Sequence, residues 1–152
     1  GAKVGLMGAV ADGALSLKGN VIGVIPDFLQ KKELGHDSLT ELHIVDTMHE
    51  RKALMCELCD AVIALPGGYG TMEELFEMLT WSQLALHKKP IAILNIDGYY
   101  DALISLSENM ILKGFLKEEY RNLLLVDEDI DQLLQKLENF TPLENDKWFE
   151  TK

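Results

Sequence analysis

Basic side chains are scarce in this chain. Fourteen Lys and Arg stand against 25 Asp and Glu, a formal net charge of −11 over 152 residues. Binding along a nucleic-acid polymer draws on many cationic contacts to phosphate, which excludes such a partner as the main function. A small anion needs only a helix end and one or two cations, so it is not excluded. Apolar residues make up 47% of the chain, enough for a sizeable core. No run of them approaches the ~20 residues of a membrane-spanning helix.

Cysteine is nearly absent too. Cys56 and Cys59 are the two cysteines, spaced C-x-x-C. A redox pair of this kind sits at a helix start, whereas here it follows a helical pattern and precedes a buried strand. A zinc site would want a second pair. Two partly buried free thiols are the expected state, with no metal and a reducing cytoplasm as the expected location.

What is present alternates. Short β-branched runs, Asn20–Ile25, Glu41–Val45, Ala61–Leu65, Pro90–Leu94 and Asn122–Val126, read as strands. Helical patterns fall between and around them, at 9–17, 47–59, 71–87, 99–112 and 127–140. Strands alternating with helices predict an α/β fold, a Rossmann-like parallel sheet with helices on both faces. Ligands of such a sheet bind beyond the carboxyl ends of its strands. Residues 1–152 read as a single domain with a tail, 141–152, polar except for Trp148 and Phe149. Residues 27–40 read as a polar loop, long enough to be functional or mobile.

One stretch organises the rest. Ala61–Leu65 is apolar throughout and ends at Pro66, and Gly67, Gly68 and Gly70 follow within four residues. Such glycines permit positive φ and close approach of a ligand. Thr71 and Glu74 form a T-x-x-E pattern, which predicts a capping box opening a helix at Thr71. Glu73, Glu74 and Glu77 then lie near its start. Strand, glycine turn and helix N-terminus together make an anion site, most often for phosphate. Beyond the first turn this helix is apolar nearly all round, from Leu75 to Leu86. That predicts a buried helix or a partner interface. Upstream, Arg51 shares a helical stripe with Met48, Met55 and Leu58, so it must reach an anion or extend outward. Lys52, one step round, reads equally as a solvated charge.

The string Pro66-Gly-Gly-Tyr-Gly-Thr-Met-Glu-Glu74, with Met48-His-Glu-Arg-Lys52 upstream, resembles the LONELY GUY (LOG) family. That family consists of cytokinin riboside 5′-monophosphate phosphoribohydrolases, many once labelled lysine decarboxylase-like. The resemblance runs from Gly1 to about Phe115. It implies cleavage of adenine-type nucleoside 5′-monophosphates, cytokinin ribotides or AMP, to free base and ribose 5-phosphate; with no metal cluster visible in the sequence, a metal-free, cofactor-free hydrolase is expected. It implies catalytic roles for Glu74 and Arg51. Substrate contacts are implied for Glu33, Lys52, Gly67, Gly68, Tyr69, Gly70, Thr71, Met72, Glu73 and Thr80. From the residues alone, Glu33 reads equally as a solvated loop charge and Thr80 as a helix-surface threonine. A homodimer or larger assembly is implied as well, fitting the apolar helix. The family's leading strand, helix and strand have no counterpart in this chain, so the domain is expected to be N-terminally incomplete.

Two other classes compete. A nucleotide-binding carrier or sensor on the same scaffold would bind AMP and release no base. A decarboxylase would use a pyridoxal phosphate Schiff-base lysine, and Lys3, Lys52 and Lys88 lack a supporting constellation.

Overall fold

Among the described residues, the five strands pair in parallel. The computed structural model describes residues 3–32, 35, 36 and 38–143. Glu33, Trp148 and Phe149 lie outside the described residues. The chain forms two compact units, Gly1–Cys59 and Asp60–Lys152.

In the first unit, α1 (Gly5–Ser16) precedes β1 (Ile22–Pro26), a short α2 (Asp27–Gln30), β2 (Glu41–Val45) and α3 (Met48–Leu58). β1 and β2 pair in parallel, from Ile22 beside Glu41 to Pro26 beside Val45. Val24 and Ile25 are buried, and α3 packs on both strands. The stretch expected to be loop throughout thus begins with one helical turn. Pro26 supplies the fixed φ that precedes it, and Asp27 accepts from the Lys31 ammonium at 2.5 Å.

α3 starts on a side-chain cap. The Thr47 hydroxyl accepts from Glu50 N–H at 3.1 Å, and the Glu50 carboxylate accepts from Asp46 N–H at 2.9 Å. The first bond satisfies one orphan amide of the helix, and the second ties the residue before the cap to the first turn.

The second unit holds β3 (Val62–Ala64), α4 (Tyr69–Gln83), β4 (Ile91–Leu94), α5 (Asp101–Leu112), β5 (Leu124–Asp127) and α6 (Ile130–Glu138). Its strand order is β3-β4-β5. The central strand carries the core: Ile91, Ala92 and Ile93 are at most 1% exposed. Ala92 packs with Leu133 and Leu137 of α6, and with Ala61, Ile63, Leu94 and Leu125. β3, expected to be buried on both faces, is half-buried except at Ala64, because it ends the ladder on one side.

α6 begins three residues later than its pattern suggested. Asp129 is the true cap, its carboxylate accepting from Gln132 N–H at 2.9 Å. α5 stops at Gly114, whose φ of +77° suits glycine. Among the described residues, no helix is long and apolar enough to cross a membrane.

Candidate functional site

The β3–α4 junction differs from its sequence reading in a way that favours an anion. α4 begins at Tyr69, not Thr71. Gly68 is the N-cap, with φ −90° and ψ −154°, and its carbonyl accepts the first intrahelical bond from Met72 N–H at 3.1 Å. There is no side-chain cap bond, so the expected Thr71–Glu74 box does not form. Thr71 is already the third helical residue. Glu73, Glu74 and Glu77 consequently fall outside the first turn, which contains no acid. The amides of Gly68, Tyr69, Gly70 and Thr71 have no intrahelical acceptor, because nothing lies four residues upstream within the helix.

The glycines act by bareness, not by handedness. None of Gly67, Gly68 or Gly70 has positive φ, contrary to the expectation. A Cβ on Gly67 would stand 2.2 Å from Thr71 Oγ1 and 2.8 Å from Thr71 Cβ. That position must be glycine for the turn to close on the helix. Cβ atoms on Gly68 or Gly70 would meet nothing within 4 Å. Among the described residues nothing fills those two places, and both glycines are exposed.

Two tyrosines hold this turn, and the sequence reading passed over them. Tyr99 Oη donates to the Gly67 carbonyl at 2.6 Å, and Tyr100 Oη donates to the Leu65 carbonyl at 2.5 Å. Their rings meet edge to face, 5.0 Å apart at 86°. Tyr100 is 2% exposed, and burial, followed by the neighbouring Tyr99, pushes its phenol pKa up, so it stays a donor. Asn95, just past β4, fixes the backbone at Tyr100. Its Oδ1 accepts from Tyr100 N–H at 2.6 Å, its Nδ2 donates to Asp101 Oδ1 at 2.8 Å, and its own N–H donates to the Asp127 carbonyl at 2.7 Å. The available signal was the Asn-Ile-Asp-Gly-Tyr-Tyr string after β4, at the strand edge where ligands bind.

Further along α4, helical side chains lean toward the N-terminus, so each reaches over the residue four positions earlier. For half-buried Glu74 that residue is Gly70, which leaves the path toward the turn bare. For exposed Glu73 it is Tyr69. Met72 is half-buried, and Tyr69 is 96% exposed. Exposed Thr80 donates its hydroxyl to the Phe76 carbonyl at 2.7 Å, an ordinary helix-surface bond.

Arg51 and Lys52 belong to the first unit. Arg51 is 8% exposed and Lys52 7%, while Met55 and Leu58, expected on the buried stripe, are 37% and 45% exposed. The stripe is therefore inverted: α3 buries its two cations. Arg51 Nε donates to the Val24 carbonyl of β1 at 3.2 Å, fixing the guanidinium against that strand. The solvated reading of Lys52 is overturned by its burial. Nearby in sequence, buried His36 accepts from Ser38 N–H at Nδ1 and meets Asp12 Oδ1 at 2.9 Å through Nε2. Cys56 and Cys59 form no disulfide and are half-buried.

The sequence model of a family described as "Possible lysine decarboxylase" matches residues 7–137. A protein of Rhodococcoides fascians, named cytokinin riboside 5′-monophosphate phosphoribohydrolase, is 53% identical over 86% of this chain and 67% of its own length. The chain belongs to the LOG family. A rice member, probable cytokinin riboside 5′-monophosphate phosphoribohydrolase LOGL1 of Oryza sativa subsp. japonica, is 49% identical over 93% of this chain. The Arabidopsis thaliana LOG member named LOG2 is 43% identical over 96% of it. The chain spans 63% of the length of the rice LOGL1 protein and 68% of the Arabidopsis LOG2 protein.

Proposed function

We propose that this chain carries the substrate-cleaving machinery of a nucleoside 5′-monophosphate phosphoribohydrolase. The observation that carries this reading is the acid-free start of α4, with no side-chain cap bond, behind a bare glycine turn. The names of the relatives support it, each being called a cytokinin riboside 5′-monophosphate phosphoribohydrolase. The 5′-phosphate takes the amides of Gly68 to Thr71, and Tyr69, Met72 and Glu73 flank it. Arg51 stays a catalytic candidate, and Lys52, Glu33 and Thr80 stay candidate substrate contacts.

The reaction adds water across the glycosidic bond. The C1′–N bond breaks, its electron pair leaves with the base, hydroxyl adds to C1′ and a proton goes to the base. The transition state is positive at the sugar. Glu74 stabilises that charge and takes the proton of the attacking water. Substrates are N6-modified adenine ribotides or AMP, and the protein acts in the cytoplasm. The test is chromatography of AMP, isopentenyl-AMP and adenosine after incubation with the full-length protein. Free base is expected from the monophosphates and little from adenosine, because the phosphate supplies binding energy. Equal turnover of AMP and adenosine would remove the phosphate cradle. Tight AMP binding with no base released would make the protein a carrier.

A two-fold homodimer through α4 is part of the same proposal. Phe76, Leu79 and Trp81 are half-buried, and Leu84 and Leu86 at its end are 39% and 68% exposed. Sedimentation at micromolar concentration is expected to give a dimer, and a monomer there would defeat the proposal.

A further inference from the structure

We infer that Tyr99 is a positioning residue that sets the direction of the Gly68 amide. The inference rests on the proposed seating of phosphate at the glycine turn. Within one planar peptide unit the C=O and N–H point in opposite directions. Tyr99 Oη holds the Gly67 carbonyl at 2.6 Å, and so turns the Gly68 N–H away from the tyrosine. That N–H is one of the four at the start of α4 without an intrahelical acceptor.

The unit between Gly67 and Gly68 has no Cβ on either side, so its rotation meets little steric resistance. Rotated by half a turn, it would present the Gly67 oxygen where the Gly68 donor stood. An acceptor there repels a phosphate oxygen instead of binding it. A directed hydrogen bond is what selects one orientation, and the Tyr99 phenol makes it.

The two tyrosines divide the work. Tyr100 is 2% exposed and holds Leu65, whose peptide unit leads into Pro66 and has no N–H to orient. Its role is to anchor the strand end. Tyr99 is 54% exposed, so water can replace its hydroxyl with little effect on folding. What the Tyr99 bond contributes is direction.

The experiment is Tyr99→Phe in the full-length protein, with AMP as substrate and inorganic phosphate as competing probe. The melting temperature is expected to stay within about 2 °C. KM for AMP and the inhibition constant of phosphate should both rise about tenfold, with kcat within about threefold. An unchanged KM and phosphate constant would overturn the inference. So would a variant that fails to fold or melts many degrees lower, because Tyr99 would then be structural. Failure of the underlying reading shows in the wild type instead: no inhibition by phosphate and no preference for AMP over adenosine. That result removes the phosphate seat, and this inference with it.

Discussion

Glu74→Gln in the full-length protein is expected to lower turnover of AMP by roughly a hundredfold or more, with the melting temperature within about 3 °C. The expectation comes from setting a structural role for Glu74 against a chemical one. The structural role suggested by the sequence, closing a capping box, is excluded by the structure: α4 is capped by Gly68, with no side-chain cap bond. Glu74 is instead the sixth helical residue, in the second turn, about 9 Å along the axis from the cap. Glutamine keeps its length, its volume and one acceptor oxygen, so packing and polar contacts at a half-buried site change little. What glutamine lacks is negative charge and proton affinity. Those are the two properties needed beside a sugar that becomes cationic while water loses a proton. Glu73→Gln is the control. Glu73 is exposed and looks back on Tyr69 instead of a bare glycine, so its replacement should reduce turnover by no more than about fivefold. Near-normal turnover of Glu74→Gln would move the catalytic role elsewhere on α4.

The sequence carried the alternation of strands and helices faithfully, because β-branched runs and 3.6-residue periodicity are local properties. Every strand named from the sequence is present within two residues at either end, and all pair in parallel. Helix starts were harder. The pattern T-x-x-E stands at Thr47–Glu50 and again at Thr71–Glu74. The first caps α3, and the second lies inside α4. The residues themselves do not distinguish them. The difference is what precedes: Asp46 is held by Glu50, whereas Gly68 adopts an extended conformation and lets the helix begin two residues before Thr71. α3 shows a second limit. Its apolar stripe was legible, but its burial was not, because Arg51 finds a partner in the Val24 carbonyl, 27 residues away. The tyrosine pair illustrates the same point across a longer span. Tyr99 and Tyr100 reach Gly67 and Leu65, 32 and 35 residues upstream, through pairing of β3 with β4. No local pattern encodes that contact.

Alanine at the three glycines of the turn is expected to separate what the fold requires from what the ligand requires. Gly67→Ala places a methyl 2.2 Å from Thr71 Oγ1 and 2.8 Å from Thr71 Cβ. Rotating the threonine moves Oγ1 but not Cβ, so the helix start itself must shift. Overpacking of this kind costs about 1–3 kcal/mol. A displacement near 1 Å of the phosphate-facing amides should lower kcat/KM for AMP by roughly a hundredfold. Thr71→Ala in the same chain removes Oγ1 and leaves Cβ, so it should restore only part of the stability. Thr71→Gly removes both obstructing atoms and should restore packing in a double-mutant cycle. Gly70→Ala behaves oppositely in the fold. It sits in the helix with open space around it, and alanine there is expected to be neutral or to add about 0.4–1 kcal/mol. Gly68→Ala sets a similar entropy gain against alanine's poorer capping, which leaves it near zero. Neither position has a structural reason in this chain to be glycine. If the open space above them is where the phosphate and ribose lie, both variants should nevertheless lose roughly tenfold or more in kcat/KM for AMP while melting at or near the wild-type temperature. Full activity in stable Gly68→Ala and Gly70→Ala proteins would show that nothing occupies that space. The phosphate would then have to be sought away from the start of α4.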